Sequence, residues 1–410
     1  MDGLCMARYD VIVVGSRCAG ASLSMLLARQ GYRVLAIDRA RFPSDTMSTH
    51  FLPPRTTAML ASWGLLGRLS ATGCPLIETI TLDVGPTSIR GRPDAVAGTN
   101  AMYCPRRRVL DNLLVLAARE AGAEIREETT VRELIWDDHR VCGVRTTHTA
   151  GAEATEYATI VVGADGLWSR VAREVDAQTH DEHASVSCVY YAYWANVPTD
   201  GVEFYRRANL VVLVFPTHDN LTCIYVGLPY SDTAKYRADI RATYLTALDC
   251  VPELADRVRA GEQVEQFKGT NKLPNFYRQS WGQGWALLGD AAYHRDPITG
   301  MGIGDAFLGA QLLADAIDSA FTKRDTIETA LANYQLSLRR QTQDIYDYTL
   351  RCAQLLDPAP LMSFYDGVSR DQDATRHMMN VLTGTVSFRT LFNPSNIAQI
   401  SNSIAGAARS

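Results

Sequence analysis

Between residues 10 and 38 the hydrophobic pattern changes period twice. Asp10-Val-Ile-Val-Val14 is a short β-branched apolar run, the pattern of a strand buried on both faces of a parallel sheet. Gly15 can make the tight turn that leaves it. The spacing then lengthens: Ala19, Leu23, Leu26 and Leu27 share one face of a helix, with Gly31 placed to cap its end. The run 32–38 returns to a buried strand and closes on Asp38. This is a complete βαβ unit, and its acid falls roughly twenty residues after the turn, where a ribose hydroxyl is bonded in nucleotide-binding units. Gly20 stands at the third glycine position, which permits close helix–strand packing. Arg17 stands at the middle one. Its φ can stay negative there, and it adds a cation beside an anion already drawn to a helix N-terminus.

Downstream, Pro43, Pro53 and Pro54 break the chain into a loop, and a short amphipathic helix follows, ending near Gly64. Ile77 to Val84 alternates as a strand does. Residues 106–120 read as a strongly amphipathic helix stopped by Gly122, followed by a strand around Val131, a hairpin and a buried strand reaching Gly163. From about Ala184 the texture becomes β-rich and aromatic, which predicts a mostly antiparallel sheet separate from the parallel one. On its stretch 189–194, Val189, Tyr191 and Tyr193 face one way while Tyr190, Ala192 and Trp194 face the other. Trp285–Leu288 reads as a buried strand again. From Gly304 the chain is mainly helical, with Leu308, Leu312, Leu313 and Ile317 expected inward. The predicted fold is α/β. A Rossmann-like domain (1–75, 100–184 and 276–330) is interrupted by a mostly antiparallel substrate domain (76–99 and 185–275) and followed by a helical region (331–410).

Composition narrows the function classes. The chain has 410 residues and a net charge of −5, with no basic stripe, so a nucleic-acid partner is not expected. No apolar run reaches the ~20 residues of a membrane span, and the N-terminal stretch lacks a signal-peptide core. A cytoplasmic protein, monomeric or homodimeric, is the expectation. Nine cysteines without a C-x-x-C pair predict neither a metal site nor disulfides, but small buried hydrophobes.

Two further glycine-rich segments carry chemistry. Gly163-Ala-Asp165-Gly166 ends a buried strand, and Ser169 opens the next helix. Gly289-Asp290 ends another strand, at the edge where parallel sheets place ligands, and Asp290 can bond a polyol. Asp296-Pro297-Ile-Thr-Gly300-Met-Gly302-Ile303-Gly304 then crowds three glycines into five positions, as a backbone does that must approach something flat and large. The helix that follows turns its positive end toward that group.

These three segments, in this order and spacing, resemble the single-component flavoprotein monooxygenases, the p-hydroxybenzoate-hydroxylase-like family. Geranylgeranyl reductases and flavin-dependent halogenases are its relatives. The resemblance covers roughly the first 330 residues and is specific because three motifs stand in register. It implies tightly bound FAD. Gly15, Arg17, Gly20, Asp38 and Arg39 would take the adenosine diphosphate and Asp290 the ribityl chain, while Asp165 would serve both FAD and the nicotinamide. Arg107, in the R-x-x-L-D segment ending at Asp111, would reach the flavin; Val131, Pro297, Gly302 and Ile303 complete the implied contacts. The departures are Arg17 itself and Tyr293-His294, where the family more often has a histidine directly after G-D-A-A. Only one dinucleotide loop is present, so NAD(P)H is expected to bind transiently.

By the same resemblance the expected activity is NAD(P)H- and O2-dependent hydroxylation or epoxidation of an electron-rich aromatic small molecule, through a flavin C4a-hydroperoxide. The alternative is reduction of isoprenoid-type double bonds. The aromatic-rich insert, and the lack of the cysteine that those reductases often carry in the loop corresponding to 44–50, place oxygenation first; the absence of W-x-W-x-I-P sets halogenation lower. His50, Tyr191 and His294 are the catalytic candidates, with no metal ligands. Arg106 and Arg108 are expected to form a solvated basic face.

Overall fold

The computed structural model describes residues 8–407. Its first sheet contains five parallel strands side by side, in the order Glu124–Arg126, Val34–Ile37, Tyr9–Val14, Glu153–Gly163 and Trp285–Leu287. Val11, Ile12 and Val13 are wholly buried in one core with Leu23 and Leu27 of the following helix and with Val131, Leu134, Val141 and Val144 of later strands, which is why no polar position alternates with them. Arg140–His148 and Thr129–Asp137 extend the sheet antiparallel from the outer half of Glu153–Gly163. The helix Cys18–Arg29 packs between Arg107–Glu120 and Gly302–Phe321.

On Gly302–Phe321 the inward face is Ile303, Phe307, Ala310, Leu313 and Ile317, whereas Leu308 and Leu312 turn half outward, contrary to expectation. The reason is close approach. Gly309 lies where an added Cβ would come 2.9 Å from Leu288, so the small-residue row and not the leucine row meets the sheet.

The second sheet runs Glu262–Gln263, Ser187–Ala195, Thr222–Pro229, Leu210–Pro216, Val202–Arg207, Ile80–Asp83, Ser88–Gly91. All its pairs are antiparallel except Val202–Arg207 with Ile80–Asp83. Period-2 alternation gives it two different apolar faces. Val189, Tyr191 and Tyr193 join Phe51, Phe204 and Phe215 in one cluster, which helices from the C-terminal region cover with Tyr348, Phe364, Tyr365 and Met378. Ala192 and Trp194 join Tyr236, Tyr244 and Leu254 in another. That second face is covered by the helices Thr233–Ala238, Ile240–Leu248 and Pro252–Ala260, which the β-rich reading of the insert passed over. Their stop and start signals were local: Asp239 caps Ala242 N, and Pro252 opens the last of them. Among the described residues no helix is long and apolar enough to cross a membrane.

Candidate active site

The first glycine loop is shaped by close contacts. Gly15 has φ +98°, and a Cβ there would lie 2.4 Å from the Ala164 carbonyl oxygen; at Gly20 it would lie 1.8 Å from the Gly15 oxygen. No side chain caps the helix Cys18–Arg29 at its N-terminus. The Asp38 carboxylate, almost buried, accepts from Ser16 N at 2.7 Å and Ala40 N at 2.8 Å, while the Ser16 hydroxyl is buried without a partner. Arg39 is exposed and Val131 is buried on its strand.

Arg17 does more than decorate this loop. Its guanidinium donates to Asp111 at 2.7 Å and to the Ser44 hydroxyl at 3.1 Å, and it lies 5.5 Å from the centre of the Phe42 ring. Asp111 is fully buried and also accepts from Arg107 Nε at 3.0 Å. Two guanidinium groups on one carboxylate leave one net positive charge between the loop and the helix Arg107–Glu120.

The second part of the site is the segment 289–304. Asp290 is exposed on the single turn Gly289–Ala291, with no hydrogen bond or ion pair among the described residues. The turn Pro297–Thr299 is fixed by the Asp296 carboxylate, which accepts from Ile298 N at 3.0 Å, and ends on Gly300 with φ +72°. The side chain of Phe51 would meet a Cβ on Gly300 at 3.5 Å, so the 49–51 loop lies over this turn. Above Gly302 there is open space, with no protein atom within 4 Å of an added Cβ, and the helix it begins has no side-chain cap. Ile303 is buried beside it. Arg295 donates to Asp305 at 2.8 Å and to Thr349 at 2.9 Å, holding the wall of a cleft of about 340 Å³, its opening included.

Asp165 and His294 are held by other partners. Asp165 accepts from Ser169 Oγ at 2.5 Å and Arg170 N at 2.6 Å, and so caps the helix Arg170–Glu174; burial raises its pKa. His294 bonds the Pro274 carbonyl through Nδ1 and stacks on Phe276, on the strand Tyr293–His294 that pairs with Asn275–Arg278.

His50 and Tyr191 meet in a third cluster. His50 is wholly buried in the left-handed region (φ +64°), with Nε2 2.5 Å from the Tyr193 hydroxyl and the Tyr191 ring edge-on at 6.0 Å. Burial drives the His50 pKa down to about 3, so the ring is neutral. Its Nδ1 and the Tyr191 hydroxyl are buried without partners. Arg106 lies 3.8 Å from the centre of the Tyr193 ring and donates to Asp45 at 2.9 Å and Glu265 at 2.7 Å; Lys268 donates to Asp45 at 2.9 Å. Against the burial that would raise it, these cations pull Asp45 down to about 2. Arg106 is only 3% exposed, which corrects the expected solvated basic face. It precedes the first turn of its helix, and carboxylates distant in sequence answer it. Arg108 is exposed, as expected, beside Asp219.

A further cavity of about 570 Å³, opening included, lies between the second sheet and the C-terminal helices. Phe204, Arg206, Ile298, Thr299, Tyr348 and Tyr365 are among its lining residues, so it abuts the Pro297–Thr299 turn. Sequence reasoning missed Arg206 and the C-terminal wall. The signal was present: Val202, Phe204 and Arg206 alternate on one strand face, which ends in a charge.

The orphaned Ser16 hydroxyl, the open cradle at Gly302, two uncapped helix N-termini and the net positive charge around Asp111 fit a bound flavin dinucleotide. Comparison with known proteins agrees. Residues 8–339 match the family described as FAD binding domain. Conditioned medium factor receptor 1 of Dictyostelium discoideum is 26% identical over 348 residues, 80% of this chain and 66% of that protein, so the chain spans about two-thirds of that relative's length. The digeranylgeranylglycerophospholipid reductase of Methanocella arvoryzae is 27% identical over 347 residues, 81% of this chain and 83% of that one. The structure of the myxobacterial chondrochloren halogenase superposes with a TM-score of 0.76 at 20% identity, covering 96% of each chain, and shares the fold. The chain belongs to the FAD-binding-domain family and is a flavin-dependent oxidoreductase acting on a small organic substrate.

Proposed function

We propose that the chain is an FAD-dependent reductase of carbon–carbon double bonds in an apolar small molecule. The observation that carries this reading is the largely apolar cavity of Phe204, Ile298, Tyr348 and Tyr365, set between sheet and helices and abutting the turn that leads to Gly302. The methanogen reductases, 25–29% identical over about four-fifths of the chain, support it by their named activity. That reverses the order of the two sequence expectations, since the halogenase and monooxygenase likenesses lie below 25% identity and speak for the fold.

FAD, when bound and reduced by two electrons from the proposed reductant NAD(P)H, would supply hydride-transfer chemistry. Segments 8–75, 100–184 and 276–330 hold the cofactor, with Asp38 and Arg39 toward the ribose, Gly15, Arg17, Gly20 and Arg107 toward the pyrophosphate, and Asp290 toward the ribityl chain. Val131, Asp165, Pro297, Gly302 and Ile303 line its path. Segments 76–99 and 185–275 wall the substrate, and the C-terminal helices cover its other side. Saturating an alkene needs a hydride on one carbon and a proton on the other. Tyr193 holds a proton at its hydroxyl against the neutral His50 ring, with Tyr191 beside them and Phe51 between the pair and Phe204 of the cavity. His294 positions the Tyr293–His294 strand that leads to the turn.

Oxygenation of an electron-rich aromatic ring is the second reading, favoured by the number of aromatic side chains around the cavity. The experiment is turnover with reduced nicotinamide and paired alkene and phenol substrates, one arm anaerobic and one under labelled oxygen. A saturated, unlabelled product formed without oxygen establishes the reductase. Labelled product that disappears in the anaerobic arm overturns it in favour of oxygenation.

A further inference from the structure

Arg206 is a cation with nothing to neutralise it. Its neighbours on the same strand are answered: Arg207 pairs with Asp83 at 2.8 Å, and Glu203 with Arg257 at 2.6 Å. The Arg206 side chain has no carboxylate, hydrogen bond or ring contact among the described residues, and it stands half-buried in the cavity lining with Phe204, Tyr348, Tyr365 and Met378. Its titratable neighbours Cys352, Tyr365 and Tyr348 are neutral at pH 7, because burial raises their pKa values. A charge set in an apolar lining without a partner from the chain is placed to take one from outside. The tyrosine hydroxyls add protonated donors, and no carboxylate lines the cavity to repel an anion.

The geometry points to an oxyanion subsite at Arg206: the substrate is apolar along its body and carries a carboxylate or phosphate that Arg206 binds, while its other end lies at Ile298 and Thr299. This rests on reading the cavity as the substrate site. It adds a polarity to that site, because the anion at the strand end fixes which carbon comes to rest on the Pro297–Thr299 turn. A guanidinium suits the task, since its planar fork matches either oxyanion bidentately.

The test is calorimetric titration of the FAD-loaded protein with benzoate, phenyl phosphate and benzamide, the last being neutral and of similar shape. At least one anion is expected to bind tenfold or more tightly than benzamide, and the tighter of the two anions identifies the head group as carboxylate or phosphate. Arg206→Met is expected to weaken anion binding 10–100-fold, the range of a charge-assisted hydrogen bond, while benzamide and FAD affinities stay unchanged. Arg206→Lys should restore part of the preference, and retained FAD reports that each variant is folded. Equal affinity for benzamide and both anions would overturn the proposal, as would an Arg206→Met protein with undiminished anion binding. Binding is read without turnover. A protein that binds anions at Arg206 but fails to saturate alkenes leaves this inference standing and removes only the reductase.

Discussion

Arg106 is buried and Arg206 half-buried, both among aromatic side chains, and they differ in what answers their charge. Arg106 touches two carboxylates and the face of a tyrosine. Arg206 touches none and lines an opening. A charge answered by the chain itself is part of the scaffold, whereas one left unanswered adds nothing to the scaffold and is available to a ligand. Asp290 belongs with Arg206: it is a carboxylate at the mouth of the 289–304 segment with no hydrogen bond of its own. Asp111, Asp45 and Asp165 belong with Arg106, each satisfied by several donors.

The largest effect should separate the two arginines by stability alone. Arg106→Met leaves Asp45 and Glu265 with Lys268 as their remaining cation, and is expected to lower the unfolding free energy by about 3 kcal/mol, the low end for breaking a buried pair because both carboxylates reach water. Arg206→Met removes an unpaired charge from an apolar lining, and should change stability by less than about 1 kcal/mol in either direction. Denaturant titration of the FAD-loaded variants measures both. Equal losses would erase the distinction between answered and unanswered charge.

A second effect concerns the other unanswered group. Asp290→Ala is expected to weaken FAD binding by about 1.5–3 kcal/mol, or 10–100-fold, through loss of a charge-assisted hydrogen bond to the ribityl hydroxyls. Asp137→Ala, which removes an exposed carboxylate at the end of a distant strand, serves as the control. Fluorescence titration with FAD gives both constants, and equal affinity in the two variants contradicts the role.

What could be read from the chain beforehand follows the range of the interactions involved. The βαβ unit was legible because strand, Gly15, helix and Asp38 are governed by local periodicity and by one steric requirement at Gly20. The two faces of 189–194 were legible as faces, since alternation is local, but not as destinations. Which face meets His50 depends on Phe51 and on helices more than a hundred residues further along. Arg106 was misjudged for the same reason. Three adjacent arginines look solvated until Asp45 and Glu265, 61 and 159 residues away, are brought to the first of them. Arg17 was read correctly as compatible with the loop, but its partner Asp111 lies 94 residues on, and no local pattern reveals that the pair ties loop to helix.

The smallest expected effect tests the group that shares Tyr193 with Arg106. His50 is kept neutral by burial, with a pKa of about 3 in the folded protein against about 6.5 for an unperturbed histidine. Below pH 6.5 the unfolded chain takes up a proton that the folded chain refuses until pH 3. Stability therefore falls as pH drops through this window, by about 1.4 kcal/mol per pH unit once the unfolded imidazole is protonated, or about 2 kcal/mol between pH 7 and 5. Asp45, with its pKa of about 2, contributes below pH 4 and lies outside that interval. His218, whose pKa burial also lowers, contributes in the parent and the variant alike. His50→Asn should lose its Tyr193 partner geometry and some stability at every pH, so the informative quantity is the slope. The loss between pH 7 and 5, measured by denaturant titration at saturating FAD, should be smaller in His50→Asn by about 2 kcal/mol. Parallel pH profiles would mean that His50 charges readily in the folded protein. The Tyr193 hydroxyl would then face a cation and not a neutral ring, and the His50–Tyr193 pair could not hold a proton as proposed.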